Sequence, residues 1–506
     1  MDKPAVFLLP HGHSAKIQKC QQHLSCSKFD LFAEKNHPVL RFFRFNDPYR
    51  LLAVLILLLA MSMPIFIHPM PMTAQELKDI LLGELLNSGK IMYLQVVDDS
   101  PWASSWFAKI VEFVMGRSIF GRHFLALLII FFQAAFFAFI LIRNRAYNEI
   151  NYLPAFVFGV ICFFSFDMLS FSRELLASTF LLLALNNIFK EIEFKVQRDE
   201  IVFNIGVFLG IASLLIFSYS VFLIGSLVIL FMFARITLRK ALLLTFGFAF
   251  PHLALICLYY YRDGLPELVQ YFYNTNFTFH SINLVSWKSI LWLSSGILLF
   301  LFFALIMLNR EARFTKYQSQ LLQVMLLWMG VGFIEIAITR ELTPHSFITF
   351  VPPLSYFISH YILLIRRKWI AESMIWLFLL STIGISTATR LNKIKRVDYT
   401  GIYPTPSKYE SFIKKKNILV LGDDLGIYKI NQPTSYFLNW NLSKGIFQEP
   451  NYFENVILVQ NSFEKDKPEI IIDEKGLMKK FFVRLPELNT QYEKSGFIYI
   501  KKPVHR

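Results

Sequence analysis

Apolar stretches long enough to cross a bilayer recur between residues 51 and 385, and one threading accounts for every charged connector between them. A spanning helix needs roughly 20 apolar residues, because the hydrocarbon core is about 30 Å thick and each residue rises about 1.5 Å. With the N-terminus on the cytoplasmic side, connectors 143–145, 190–198, 235–240, 310–316 and 366–368 fall inside. All carry the Lys/Arg excess expected of cytoplasmic loops. The reading predicts about eleven spans, near 50–68, 121–142, 151–167, 171–189, 201–217, 219–235, 241–261, 287–308, 321–338, 345–365 and 370–388.

Composition agrees. Of 506 residues 55% are hydrophobic and 54 are Phe, more apolar surface than a soluble core can hide. The net charge of +15 would suggest nucleic acid in a soluble protein, but here short basic loops and a lysine-rich tail supply much of it, so no nucleic-acid partner is expected. His11, His13, Cys20, His23 and Cys26 crowd one segment without the spacing of a zinc site. Cys20 and Cys26 would face the cytoplasm, where a structural disulfide is not expected. No cleavable signal peptide is visible in residues 1–48, and the first span can itself serve as the insertion signal.

Three parts follow: a cytoplasmic segment 1–48, a transmembrane region 49–391 and a soluble extracytoplasmic α/β domain 392–506. The odd number of spans places that domain outside. In it, runs 417–421, 456–460, 469–472 and 497–501 read as strands, and 407–414 and 475–481 as helices. Between the first two spans lies an outer loop, 69–120. Its segments 72–86 and 102–115 pattern as amphipathic helices along the interface, the second with Trp102 and Trp106.

This loop carries Glu84-Leu85-Leu86-Asn87-Ser88-Gly89, Tyr93, Asp98-Asp99-Ser100-Pro101 and Gly116-Arg117-Ser118 with Arg122. Two later blocks are RELTPHSFITFVPP from Arg340, and ILVLGDDLGIYKINQPTSYF with KPEIIID after the last span. In these three blocks, in this order, the chain resembles the GT-C superfamily of lipid-linked-sugar glycosyltransferases, above all members from Bacteroidota. The resemblance implies transfer of a sugar from a polyprenyl-phosphate donor to a glycan, lipid or protein acceptor. It implies a multi-pass protein of the bacterial cytoplasmic membrane, with the C-terminal domain in the periplasm and no cofactor, a divalent metal being left open. There is one departure. The family's catalytic carboxylate, often Asp-Glu, falls on Ala74 and Gln75, and Glu76 stands one residue late.

The chemistry asks for cations at headgroup depth to hold the donor phosphate, and a carboxylate beside them to take the acceptor proton. Glu76 is therefore the expected base, with Asp98 and Asp99 in reserve. Arg340, His345 and Arg173 are expected at the phosphate, supported by Asp79, Glu84 and Glu335. Glu335, inside a span, wants a partner, and Arg340 or Lys288 could supply one. The two loop helices are expected to roof a cleft formed with the loops around Arg173, His280 and Arg340.

Plainer readings stand beside these. Asp98-Asp99 before Ser-Pro also has the make-up of a turn. Arg173-Glu174 could be a structural ion pair, and His345 an interfacial polar residue. Gly422-Asp423-Asp424-Leu425-Gly426 follows a predicted strand, yet lacks G-x-G-x-x-G and sets carboxylates where anions would bind, which argues against a nucleotide. The alternatives to a transferase are a non-catalytic GT-C-like scaffold, supported by the altered acidic motif, a surface-polysaccharide polymerase, or a transporter. The outer domain counts against the polymerase, and the lack of a convincing internal repeat against the transporter.

Overall fold

The computed structural model describes residues 38–43, 47–193, 198–277, 282–311, 314–434 and 436–503. The His/Cys-rich N-terminal segment and His280 lie outside the described residues. The protein is mostly helical, and every segment predicted to span the membrane holds a helix. In chain order these are α1 (Arg50–Ile67), α4 (Ile119–Arg143), α5 (Leu153–Ile161), α6 (Arg173–Glu193), α7 (Asp199–Leu215), α8 (Val221–Phe233), α9 (Leu238–Tyr261), α10 (Trp287–Glu311), α11 (Lys316–Ile338), α12 (Val351–Leu364) and α13 (Lys368–Arg390). Eight helices among the described residues are long and apolar enough to cross a membrane. The three that fall short, α5, α7 and α8, lie in the stretch where the sequence crowds its spans.

The predicted loop helices form as α2 (Ala74–Asn87) and α3 (Trp102–Met115). They pack very closely, because a Cβ on Gly83 would sit 2.6 Å from the Glu112 Cβ and 2.7 Å from the Ala108 carbonyl oxygen. Between them Tyr93 adopts φ +65°, its hydroxyl donating to the Ser100 carbonyl at 2.7 Å. The Tyr259 hydroxyl at the end of α9 donates to the Met92 carbonyl at 2.9 Å, which pins this turn to the bundle.

The C-terminal region is α/β as expected, with a five-stranded sheet ordered β4-β3-β5-β7-β6. The strands are β3 (Asn417–Val420), β4 (Gln432–Pro433), β5 (Ile470–Ile472), β6 (Tyr492–Ser495) and β7 (Ile498–Lys501). The centre β4-β3-β5 is parallel, and β7 and β6 complete it antiparallel. Two sequence expectations are corrected. Residues 456–460 belong to a helix, α15 (Phe453–Lys465), following α14 (Trp440–Gln448). Val456, Val459 and Phe463 recur at helical spacing and pack into the core, and that period outweighs the β-branched composition. Residues 407–414 form turns in place of a helix, since the Ser407 hydroxyl is bonded to Asp424.

This region is joined to the outer loop by backbone as well as side chains. Val97 N–H donates to the Tyr436 carbonyl at 3.0 Å, and Tyr436 N–H donates to the Gln95 carbonyl at 3.0 Å. Arg117 pairs with Glu84 at 2.7 Å and donates to the carbonyls of Tyr428, Lys429 and Asn431 at 2.9–3.0 Å. Glu84, expected to support the site, is thus a partner in this latch. Arg117→Ala strips those carbonyls of a charged donor, a loss of about 1.5–3 kcal/mol per such bond at most. The expected result is faster amide hydrogen exchange at 428–431 and a lower unfolding midpoint, with exchange in α10 unchanged.

Candidate functional site

One end of the bundle holds an open cleft of about 270 Å³. Gln75 and Lys78 of α2 line it, with Asp99 of the following loop, Arg173 and Glu174 opening α6, Ser218 before α8, and Arg340 and Glu341 after α11. Phe217, Val221, Phe277 and Ile338 give it an apolar wall. A short parallel pairing fixes the last of these segments. There β1 (Ile282–Asn283) runs beside β2 (Glu341–Leu342), and Ile282 N–H donates to the Arg340 carbonyl at 2.7 Å.

At its centre is an ion network. Lys78 Nζ lies 3.0 Å from both Asp98 Oδ1 and Asp99 Oδ1, and Arg340 pairs with the other Asp99 oxygen. Asn439, at the start of α14 in the C-terminal region, donates from Nδ2 to Asp98 at 3.1 Å and to Asp99 at 2.7 Å. Burial alone would raise the Asp99 carboxyl, but Lys78 and Arg340 hold it well below the ordinary carboxylate range. Burial likewise works against the Lys78 ammonium, and Asp98, Asp99 and Glu341 overcome it and raise its pKa above the usual value. Both groups are charged at neutral pH. Asp98 is fully buried and also closes a turn, accepting from Ser100 N–H at 3.1 Å, so the turn reading and the network coexist in one residue.

The expected site residues therefore part company. Arg173, Arg340 and Asp99 meet in the cleft. Asp79 stands behind it, 3.6 Å from Arg173, its carboxyl pushed up to about 6 by burial against the pull of that guanidinium. Glu76 is engaged elsewhere. It completes a capping box with Thr73, accepting from the Thr73 N–H at 2.9 Å and hydroxyl at 3.0 Å, and its other oxygen lies 3.5 Å from His123. Burial opposes its ionised form, but the bonds from His123 and Thr73 win and lower its pKa. His345 is likewise taken up, by Ser170 at 2.9 Å and Asp167 at 3.8 Å. Glu335 accepts from Ser218 at 2.8 Å, not from the basic partners the sequence suggested.

Lys78, Glu174, Glu341 and Asn439 complete the site. At the departure in the acidic motif, Gln75 donates from Nε2 to Glu174 Oε2 at 3.4 Å, so a carboxylate from a different helix adjoins the position where the motif lacks one. Among the described residues no group of three or more His, Cys, Asp or Glu side chains is arranged to hold a metal ion.

No protein-family model matches the chain, and no curated protein does. Among solved structures it is similar to ArnT from Cupriavidus metallidurans bound to undecaprenyl phosphate. That match has 11% identity and a TM-score of 0.45, over 85% of this chain and 88% of the other. It is also similar to the archaeal oligosaccharyltransferase AglB from Archaeoglobus fulgidus, in complex with an inhibitory peptide and a dolichol-phosphate. There the identity is 11% and the TM-score 0.44, over 90% of this chain and 75% of the other. At TM-scores below 0.5 neither likeness carries a residue correspondence into the cleft.

Removing Lys78 leaves a fully buried Asp98 and a largely buried Asp99 short of a cation, the kind of loss that costs about 3–5 kcal/mol in a buried pair. Lys78→Met is expected to lower the unfolding midpoint in detergent sharply, and Lys78→Arg to restore most of it. Equal midpoints for Lys78→Met and wild type would show that the network does not hold the loop.

Proposed function

We propose that this integral membrane protein is a glycosyltransferase of GT-C type. It transfers a sugar from a polyprenyl-phosphate donor to an acceptor at the outer face of the bacterial cytoplasmic membrane, with its N-terminus inside and its C-terminal domain outside. The observation that carries the reading is the cleft itself, where Arg173, Arg340 and Lys78 share one opening with Glu174 and an apolar wall. A lipid phosphate needs that pairing of cations with apolar surface. Its first isoprene units would lie against Phe217, Val221, Phe277 and Ile338, and its phosphate on the two guanidiniums. Arg340 has five N–H donors and spends only part of them on Asp99.

Glu174 is the base in this reading, and Glu76, where the sequence first placed that role, holds the start of α2. The acceptor hydroxyl attacks the anomeric carbon, and the bond from that carbon to the phosphate oxygen breaks. The proton passes to Glu174 and the electron pair leaves with the phosphate. The phosphate thereby gains negative charge at the place where Arg173 and Arg340 are already fixed, so the site favours the transition state over the bound donor.

The test is transfer of labelled sugar from polyprenyl-phosphate donors by the purified protein in lipid nanodiscs. A positioned base contributes about 10²–10⁴ in rate, so Glu174→Gln is expected to lower kcat by that factor with little change in KM. Arg340→Ala acts mainly on KM, and Glu76→Gln mainly on the unfolding midpoint. If a folded Glu76→Gln loses the rate and Glu174→Gln keeps it, the base is Glu76. A wild type inactive with every such donor would favour the non-catalytic scaffold.

A further inference from the structure

The Gly422-Asp423-Asp424-Leu425-Gly426 turn plays no part in the cleft, yet it borders a second pocket, of about 340 Å³. This pocket opens where β3 and β5 end side by side, at Val420 and Ile472. From β3 the chain turns to β4 on one flank, and it later returns through α14 and α15 to β5 on the other. Both neighbours run parallel to β3, so their connections part at its carboxyl end and leave a crevice between them. Ligands of open α/β sheets bind at this kind of switch point. The volume falls at the lower end of the range of about 300–1,000 Å³ usual for small-molecule sites.

The lining selects the chemistry. Asp423, Asp424 and Glu474 offer acceptors, Lys408 and Lys475 offer donors, and Tyr409 adds a ring. Asp424 is held by the Ser407 hydroxyl on one oxygen, while its Oδ1 is buried with no hydrogen-bond partner in the structure. Glu474 accepts from the Tyr409 hydroxyl at 3.0 Å, and the Lys475 ammonium stands 5.5 Å from the centre of the Trp440 ring. Three carboxylates against two ammonium groups leave the lining net negative, which disfavours a phosphate. A metal ion would need a cluster of three or more ligands, which the described residues do not offer. A purely apolar ligand would leave the buried Asp424 oxygen unsatisfied, a cost of about 1–3 kcal/mol or more. Hydroxyl groups, each a donor and an acceptor at once, satisfy the whole set, and an aromatic face beside them suits a sugar ring.

We propose that this crevice in the outer domain binds a neutral saccharide unit through its hydroxyls, with Asp424 as the principal acceptor. The site is separate from the donor cleft and stands whether or not that cleft transfers sugar. It lies in the region that reaches the ion network of the cleft through Asn439.

Saturation-transfer NMR on the full-length protein in nanodiscs, with methyl β-glucoside and lactose as probes, tests it. The wild type is expected to bind at least one probe in the millimolar range. Asp424→Asn and Glu474→Gln, which keep shape and remove charge, are each expected to weaken binding about tenfold, as loss of a charge-assisted hydrogen bond does. Their unfolding midpoints serve as the control for folding. Arg340→Ala, which disables the cleft, should leave saccharide binding unchanged, so failure of the donor reading is distinguishable from failure of this one. The proposal is overturned if neither probe binds, if binding survives both charge-removing variants, if it follows Arg340→Ala, or if inorganic phosphate or Mg²⁺ binds the crevice in place of the saccharides.

Discussion

The pairing of Lys78 with Asp98 and Asp99 holds together parts of the chain that are far apart in sequence. Lys78 comes from the first loop helix, the aspartates from the turn after it, Arg340 from the end of a late span and Asn439 from the outer domain. Asp98 is fully buried, and a buried carboxylate left without its cation costs stability, so the first loop helix and the 98–99 turn support each other. Two of the cations that face the cleft, Lys78 and Arg340, are fixed by the same bonds, and Arg173 lies 3.6 Å from Asp79. A guanidinium already anchored on Asp99 does not have to be ordered again when an anion arrives.

That network also explains why the C-terminal α/β region is more than an appendage. Its contacts with the membrane region run through the strand-like pairing of Gln95 and Val97 with Tyr436, the Arg117 latch and the Asn439 amide. The Glu84–Arg117 pair, read from the sequence as part of a glycosyltransferase pattern, serves this docking and lies outside the lining of the cleft. A motif can thus be matched at the level of residues and still have a role that only the fold discloses.

Much of the architecture was legible because the bilayer imposes it. Helices satisfy their backbone internally, so apolar length located every helical segment, but only eight of the eleven predicted spans are long and apolar enough to cross, with α5, α7 and α8 falling short. The cleft was legible where a residue type is costly at its depth, as with Arg173 at the start of α6 and Arg340 just after α11. It was not legible where the deciding partner is distant. Lys78 looks like an ordinary polar-face lysine until the 98–99 turn folds back on it, and nothing near Asn439 announces its two aspartate partners. Glu76 is a different case. Thr73-Ala74-Gln75-Glu76 is itself the pattern of a capping box, a local signal that competes with the catalytic reading and that the structure obeys. His345, expected at the phosphate, lies outside the cleft lining, with Nε2 bonded to Ser170 and 3.8 Å from Asp167, neighbours distant in sequence.

The central claim is that the cleft receives a lipid-borne phosphate on Arg173 and Arg340. Native mass spectrometry of the protein released from nanodiscs doped with undecaprenyl phosphate tests this without requiring turnover or knowledge of the sugar. The account predicts one retained lipid phosphate per protein. It should persist in Glu174→Gln, whose carboxylate is not needed for binding, and disappear in the Arg173→Ala/Arg340→Ala double variant. Retention that is indifferent to both arginines, or no retention by the folded wild type, would contradict it.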